Sequence, residues 1–93
     1  MTRKIKLYSL ALRDIEHGIT YYQQQQKGLG KRFENQINDI FKKIQKFPFA
    51  ASIAYENVRY KVMDTFPYII LYEISDTAIY VHRIFNTHQE PVY

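Results

Sequence analysis

The stretch Phe33-Glu34-Asn35-Gln36-Ile37-Asn38-Asp39-Ile40-Phe41-Lys42-Lys43-Ile44-Gln45-Lys46-Phe47-Pro48 decides the fold. Phe33, Ile37, Ile40, Phe41, Ile44 and Phe47 recur at intervals that put them on one stripe of an α-helix, with polar and charged residues filling the other face. Pro48 stops the helix, because proline has no N–H to donate and clashes with the preceding turn. Beyond it the period changes to two. Val58, Tyr60 and Val62 alternate with Arg59 and Lys61, the pattern of a strand with one apolar face. A one-sided helix followed by alternating strands must bury its stripe on a sheet, which is an α+β arrangement.

Upstream, Lys27-Gly28-Leu29-Gly30 breaks the helical pattern, since glycine tolerates the left-handed conformation at helix ends. Before it, Leu12, Ile15, Ile19 and Tyr22 mark the apolar face of a first helix over residues 10–26, with Ser9 as its N-cap. The short link predicts an antiparallel helical hairpin. Residues 3–8 alternate, with Ile5 and Leu7 on one face of a short strand. Downstream, residues 49–57 read as a loop and Asp64-Thr65-Phe66-Pro67 as a turn. Residues 68–74, rich in β-branched and aromatic side chains, form a central strand. Ser75-Asp76-Thr77 turns into a last strand over 78–85, and Pro91 disfavours pairing of the tail. The expected order is β-α-α-β-β-β, a helical hairpin packed on a small antiparallel sheet. Residues 1–93 are expected to form a single domain.

Composition narrows the function classes. The chain lacks cysteine, which excludes disulfides and thiolate metal sites. It has no apolar run near the ~20 residues that span a bilayer. A cytoplasmic protein without a membrane partner is expected. Charge is unevenly placed: residues 1–61 hold 12 Lys/Arg against 5 Asp/Glu, net +7, and residues 62–93 hold 1 against 4, net −3. A basic field of this kind favours an acidic partner, nucleic acid or an acidic protein segment.

Chemistry-bearing motifs are sparse. His17, His82 and His88 have no metal-ligand spacing, and no Asp/Glu cluster adjoins them. His17 is expected on the surface of the first helix. Gly28 and Gly30 lack the preceding strand and further glycines of a phosphate-binding loop. No cofactor and no metal are expected. One set could act on a phosphodiester: Arg59 and Lys61 on one face of a strand, Arg83 on the last strand, and His88 and Tyr93 in the tail. Arginine and lysine bind phosphates, and a histidine or tyrosine beside them could move protons.

Several strings together resemble the RelE/ParE toxin family. They are Asn57-Val58-Arg59, Phe66-Pro67-Tyr68-Ile69-Ile70-Leu71-Tyr72 and Ile84-Phe85-Asn86-Thr87-His88-Gln89-Glu90-Pro91. Asp14-Ile15, Tyr21-Tyr22, Leu29-Gly30 and Arg32-Phe33 look like that family's helical hairpin. The resemblance covers almost the whole chain and keeps its order. It implies the toxin of a bacterial type II toxin–antitoxin pair, a growth inhibitor associated with plasmid stabilisation and silenced by an antitoxin whose C-terminal segment wraps it. RelE-like members cut messenger RNA on the ribosome with basic side chains and a C-terminal tyrosine; ParE-like members poison DNA gyrase. In the tail, Asn86 stands where the family usually has His, and His88 and Gln89 stand where it usually has arginines. The leading expectation is therefore ParE-like inhibition of gyrase by binding. The alternatives are a ribosome-dependent messenger RNA endonuclease built on Arg59, Lys61, Arg83, His88 and Tyr93, and a degenerate, non-toxic binding module.

Overall fold

The structure, a computed structural model, describes residues 2–88. In chain order it contains β1 (Lys4–Leu7), α1 (Ser9–Gln25), α2 (Leu29–Lys46), β2 (Ser52–Tyr55), β3 (Val58–Val62), β4 (Tyr68–Ile74) and β5 (Ala78–Asn86). The five strands form one sheet in the order β1-β5-β4-β3-β2, and the two helices pack on one face of it. This is the α+β architecture expected, with two differences. First, the sheet is mixed, because β1 runs parallel to β5, Lys4 opposite Ala78 and Leu7 opposite Val81. The antiparallel expectation came from strands adjacent in sequence; β1 and β5 lie at opposite ends of the chain, and the whole fold forms the connection between them. Second, part of the expected 49–57 loop is a strand. Ser52–Tyr55 pairs with β3 through a tight turn in which Glu56 takes a left-handed φ of 46°. All four residues of β2 are exposed, and its alternation, Ile53 and Tyr55 only, is too short to stand out from a loop.

The α2 stripe behaves as its period predicts. Phe33, Ile37, Ile40, Phe41 and Ile44 are buried against Ile70 and Tyr72 of β4 and Ile79, Val81 and Ile84 of β5. Phe47 does not join them. The helix ends at Lys46, and the Phe47 ring falls beyond the sheet, 59% exposed. On α1 the packed side is Ala11, Ile15, Gly18, Ile19 and Tyr22, while Leu12, expected on that face, is 48% exposed. Gly18 sets the spacing of the hairpin: a Cβ there would collide with the Phe33 ring. Gly28, with φ of 87°, makes the left-handed link between the helices.

Two local expectations also change. Ser9 is the first helical residue rather than the cap. Tyr8 takes the cap position in extended conformation without a side-chain capping bond, and its N–H donates to Val81 O (3.0 Å), carrying the β1 pairing into the helix start. On β3, Val58 is buried, but Tyr60 and Val62 are exposed. The register explains this. Tyr60 lies opposite Leu71 and Val62 opposite Ile69, on the face away from the helices, whereas Arg59 and Lys61 lie opposite the core residues Tyr72 and Ile70. On the edge strand β1, Ile5 is partly buried, while Leu7 is exposed.

Taking β1 as running upward, the registers put the starts of β1, β3 and β5 and the ends of β4 and α2 at the lower end of the sheet. The ends of β3 and β5, the start of β4 and the helix–helix link lie at the upper end.

Candidate functional site

β5 positions the first candidate. Leu71 of β4 faces Arg83 and Tyr72 faces Val81, so His82 is an extra residue, a β-bulge. Bulges bend the strand and re-aim side chains. Here the bulge lies just beyond the last β1–β5 pair, where α1 crosses the free edge of β5. Asp14 of α1 reaches that edge and takes it over. Its carboxylate accepts from Arg83 Nε (2.7 Å), Arg83 Nη2 (3.0 Å) and the Ile84 N–H (3.0 Å). The paired guanidinium fork is the strong geometry for a carboxylate. It holds the Arg83 pKa above its ordinary value, the hydrogen bonds to Asp14 outweighing burial. The Arg83 charge is therefore paired within the fold, although its side chain also lines the cleft described next.

His82 is enclosed beside it. Its ring stacks under Tyr8 with centroids 4.6 Å apart, and its Nε2 lies 3.2 Å from Glu73 Oε1, close enough for an ion pair but not aligned as a hydrogen bond.

Above Arg83 lies a cleft of about 450 Å³ lined by Asp14, His17, Tyr21, Tyr68, Arg83 and Asn86, among others. His17 belongs to this cleft, a placement missed from sequence. The only local signal was its position one helical turn after Asp14. Tyr68 joins the cleft's lining to the upper aromatic cluster. Tyr22 packs on Phe66 (4.7 Å between centroids) and Phe33 (5.2 Å), and Phe33 on Tyr68 (5.0 Å). Burial, then the neighbouring Tyr68 hydroxyl, pushes the Tyr22 phenol up to about 12.

Arg59 is engaged elsewhere. Its Nη1 donates to Ala51 O (2.6 Å) and Phe49 O (3.3 Å), and its guanidinium lies 5.4 Å from the Phe49 ring centroid. It also lies near Tyr72, whose hydroxyl donates to Pro48 O (2.8 Å). Burial raises the Tyr72 pKa, and the Arg59 charge only partly opposes this. Lys61 is exposed two residues along β3. His88 is exposed, its N–H donating to Asn86 Oδ1 (2.8 Å). Tyr93 lies outside the described residues. Of the residues grouped from sequence, the four described ones do not converge on one face. Arg59 and Lys61 share the strand parity of Tyr72 and Ile70, Arg83 faces Leu71 across the bulge, and His88 follows the upper end of β5. Among the described residues no group of three or more His, Asp and Glu side chains could hold a metal ion, and no helix is long and apolar enough to cross a membrane.

The family profile described as the ParE toxin of type II toxin–antitoxin systems, parDE, matches residues 5–91. The chain belongs to the ParE toxin family. A solved chromosomal ParDE toxin–antitoxin system from P. aeruginosa contains a chain similar in fold, with a TM-score of 0.67 over 91% of this chain and 96% of that one, at 14% sequence identity. Comparison with curated protein sequences gives no match. The ParE family assignment agrees with the motif resemblance, and the shared fold covers both helices and the sheet.

Proposed function

We propose that this ParE-family chain is a toxin that acts in the cytoplasm by binding DNA gyrase and is held silent by a cognate antitoxin. The observation that carries the binding mode over a nuclease is the fate of Arg83. A phosphodiester cleavage site needs charge aimed at the transition state and groups that take and give protons within hydrogen-bond reach. Arg83 is paired with Asp14, and Arg59 sits on β3 at the other strand parity, so the two charges are not aimed at one point. The acid–base candidate His88 is bonded to neither. The antitoxin segment is expected to lay apolar residues on the hairpin and sheet edge, with acidic residues toward the basic half of the chain. Its affinity then falls with rising salt, as exposed charge pairs are screened; calorimetry that finds no salt dependence removes the electrostatic part.

Two assays run side by side test the target. Purified toxin is expected to inhibit gyrase supercoiling and to accumulate cleaved DNA, with relief on adding the antitoxin. Primer extension on translating ribosomes is expected to show no codon-positioned cuts. Cuts by wild type that vanish in Arg59→Ala and His88→Ala, with gyrase unaffected, would establish the endonuclease instead.

A further inference from the structure

The lower end of the sheet carries a second feature that gyrase binding does not account for. Arg3 precedes β1, Lys46 ends α2 and Arg59 belongs to β3, and the fold brings all three to the segment 47–51 that crosses this end. Phe47 and Phe49 in that segment are 59% and 61% exposed, although the core lies close by. Each ring is attended by cations: Arg3 at 5.5 Å and Arg59 at 5.4 Å from the Phe49 centroid, and Lys46 at 5.6 Å from that of Phe47.

The two guanidiniums are fixed but not neutralised. Arg3 Nε donates to Ser75 O (2.7 Å), and Arg59 donates through Nη1 to Ala51 O and Phe49 O. Carbonyl oxygens orient a guanidinium without cancelling its charge. Among the described residues no carboxylate pairs with Arg3, Lys46 or Arg59, in contrast to Arg83 on Asp14. Most of the N–H donors on each fork stay open, and the forks lie about one aromatic ring, pre-set before any partner arrives.

An arginine fork matches a phosphate, and exposed rings and guanidinium planes stack on unpaired bases. A single-stranded nucleic acid brings both groups in every nucleotide. An acidic peptide satisfies the cations but supplies no flat face at each charge. A duplex keeps its bases stacked on one another and away from the phenylalanine rings. We propose that Arg3, Lys46, Phe47, Phe49 and Arg59 form a binding surface for single-stranded nucleic acid. The surface binds without cleaving, and it is independent of the gyrase reading.

The test is fluorescence anisotropy of the full chain with a labelled oligothymidine and oligouridine of about 12 nucleotides, within the span one small domain covers. A duplex of the same length and a polyglutamate peptide are the competitors. Binding of either single strand, tighter than the duplex and poorly competed by the peptide, is expected, and the two arms tell DNA from RNA. Phe47→Ala and Phe49→Ala leave the net charge unchanged and should each weaken binding about tenfold. Lys46→Gln should lower the slope of log affinity against log salt by about 0.7, one phosphate contact. Arg59 also ties down the loop, so the exposed Lys46 and Phe47 variants, checked for wild-type melting, carry the decision. The proposal is overturned if neither strand binds at low salt, if the phenylalanine variants bind like wild type, or if the peptide competes better than the duplex.

Discussion

The two ends of the sheet use the same residue types in opposite ways. At the upper end aromatic rings are sealed together: Phe66 meets Tyr22 and Phe33 edge to face, Phe33 packs tilted on Tyr22 and Tyr68, and Arg83 beside them is matched by Asp14. At the lower end Phe47 and Phe49 stay in solvent, and the cations over them have no acidic partner among the described residues. Packing rings together removes apolar area from water and stabilises the fold. A fixed cation on an exposed ring contributes little to stability and keeps its charge for a partner. Stability and recognition are thus divided along the strand axis of one small sheet, in which few residues can serve both.

The largest expected effect lies at the sealed end. Phe33 is fully buried, touches Tyr22, Phe66 and Tyr68, and sits against Gly18 of α1. Phe33→Ala should cost about 3–5 kcal/mol, because it leaves a cavity where the two helices meet. Urea unfolding measures it, and a loss below about 1 kcal/mol would mean that the upper cluster does not hold the hairpin.

Next comes the ion pair. Asp14→Ala leaves the Arg83 guanidinium and the Ile84 N–H without their acceptor on a part-buried strand edge. Such unsatisfied groups cost about 1–3 kcal/mol. Arg83→Ala alone should cost less than Asp14→Ala, since Asp14 would keep the Ile84 N–H. Equal losses in denaturant melts would show that the backbone cap contributes nothing and the pair everything.

What could be read from sequence follows from how local each signal is. The α2 stripe was legible because Phe33 to Ile44 are close in sequence and all face one layer. β2 was not, because a four-residue edge strand offers only Ile53 and Tyr55 as an alternating pair, too short a pattern to tell from a loop. The parallel β1–β5 pair and the Asp14–Arg83 bond join residues about 70 positions apart, and no period or spacing encodes that. Arg83 read as a free cation for this reason, and grouping it with Arg59 and His88 assumed a common face that the bulge at His82 and the strand parity deny. Phe47 fitted the helical period, but Pro48 ended the helix one residue too early to turn its ring inward.

The sealed end should also be the alkali-sensitive one. Burial holds the Tyr22 phenol neutral up to about 12 in the folded chain, while an unfolded tyrosine ionises near 10. Between those values the unfolded chain binds fewer protons than the folded one, so the stability of the fold falls as pH rises: the contribution of Tyr22 is complete below about pH 10 and is lost as pH climbs through the folded pKa. Tyr22→Phe should flatten this decline in urea melts taken across that window. Part of the slope remains, because the Tyr72 pKa is raised too. An unchanged slope in Tyr22→Phe would place the alkaline sensitivity outside the upper cluster.

The smallest effects are expected at the open end, and they decide whether the division holds. The Phe47 ring is mostly in solvent, and its backbone N–H, which donates to Lys43 O at 2.8 Å, is kept by any residue but proline. Lys46 makes no ion pair among the described residues and lies over a ring already exposed to water. Removing either group opens no cavity and strands no buried donor, and substitutions of that kind stay within about 0.5 kcal/mol. Phe47→Ala and Lys46→Gln should therefore melt with wild type while losing affinity for a single strand. If Phe47→Ala were instead as destabilising as Phe33→Ala, the ring would be a packing residue. Its exposure would then say nothing about a partner, and the two ends would differ only in how tightly they are closed.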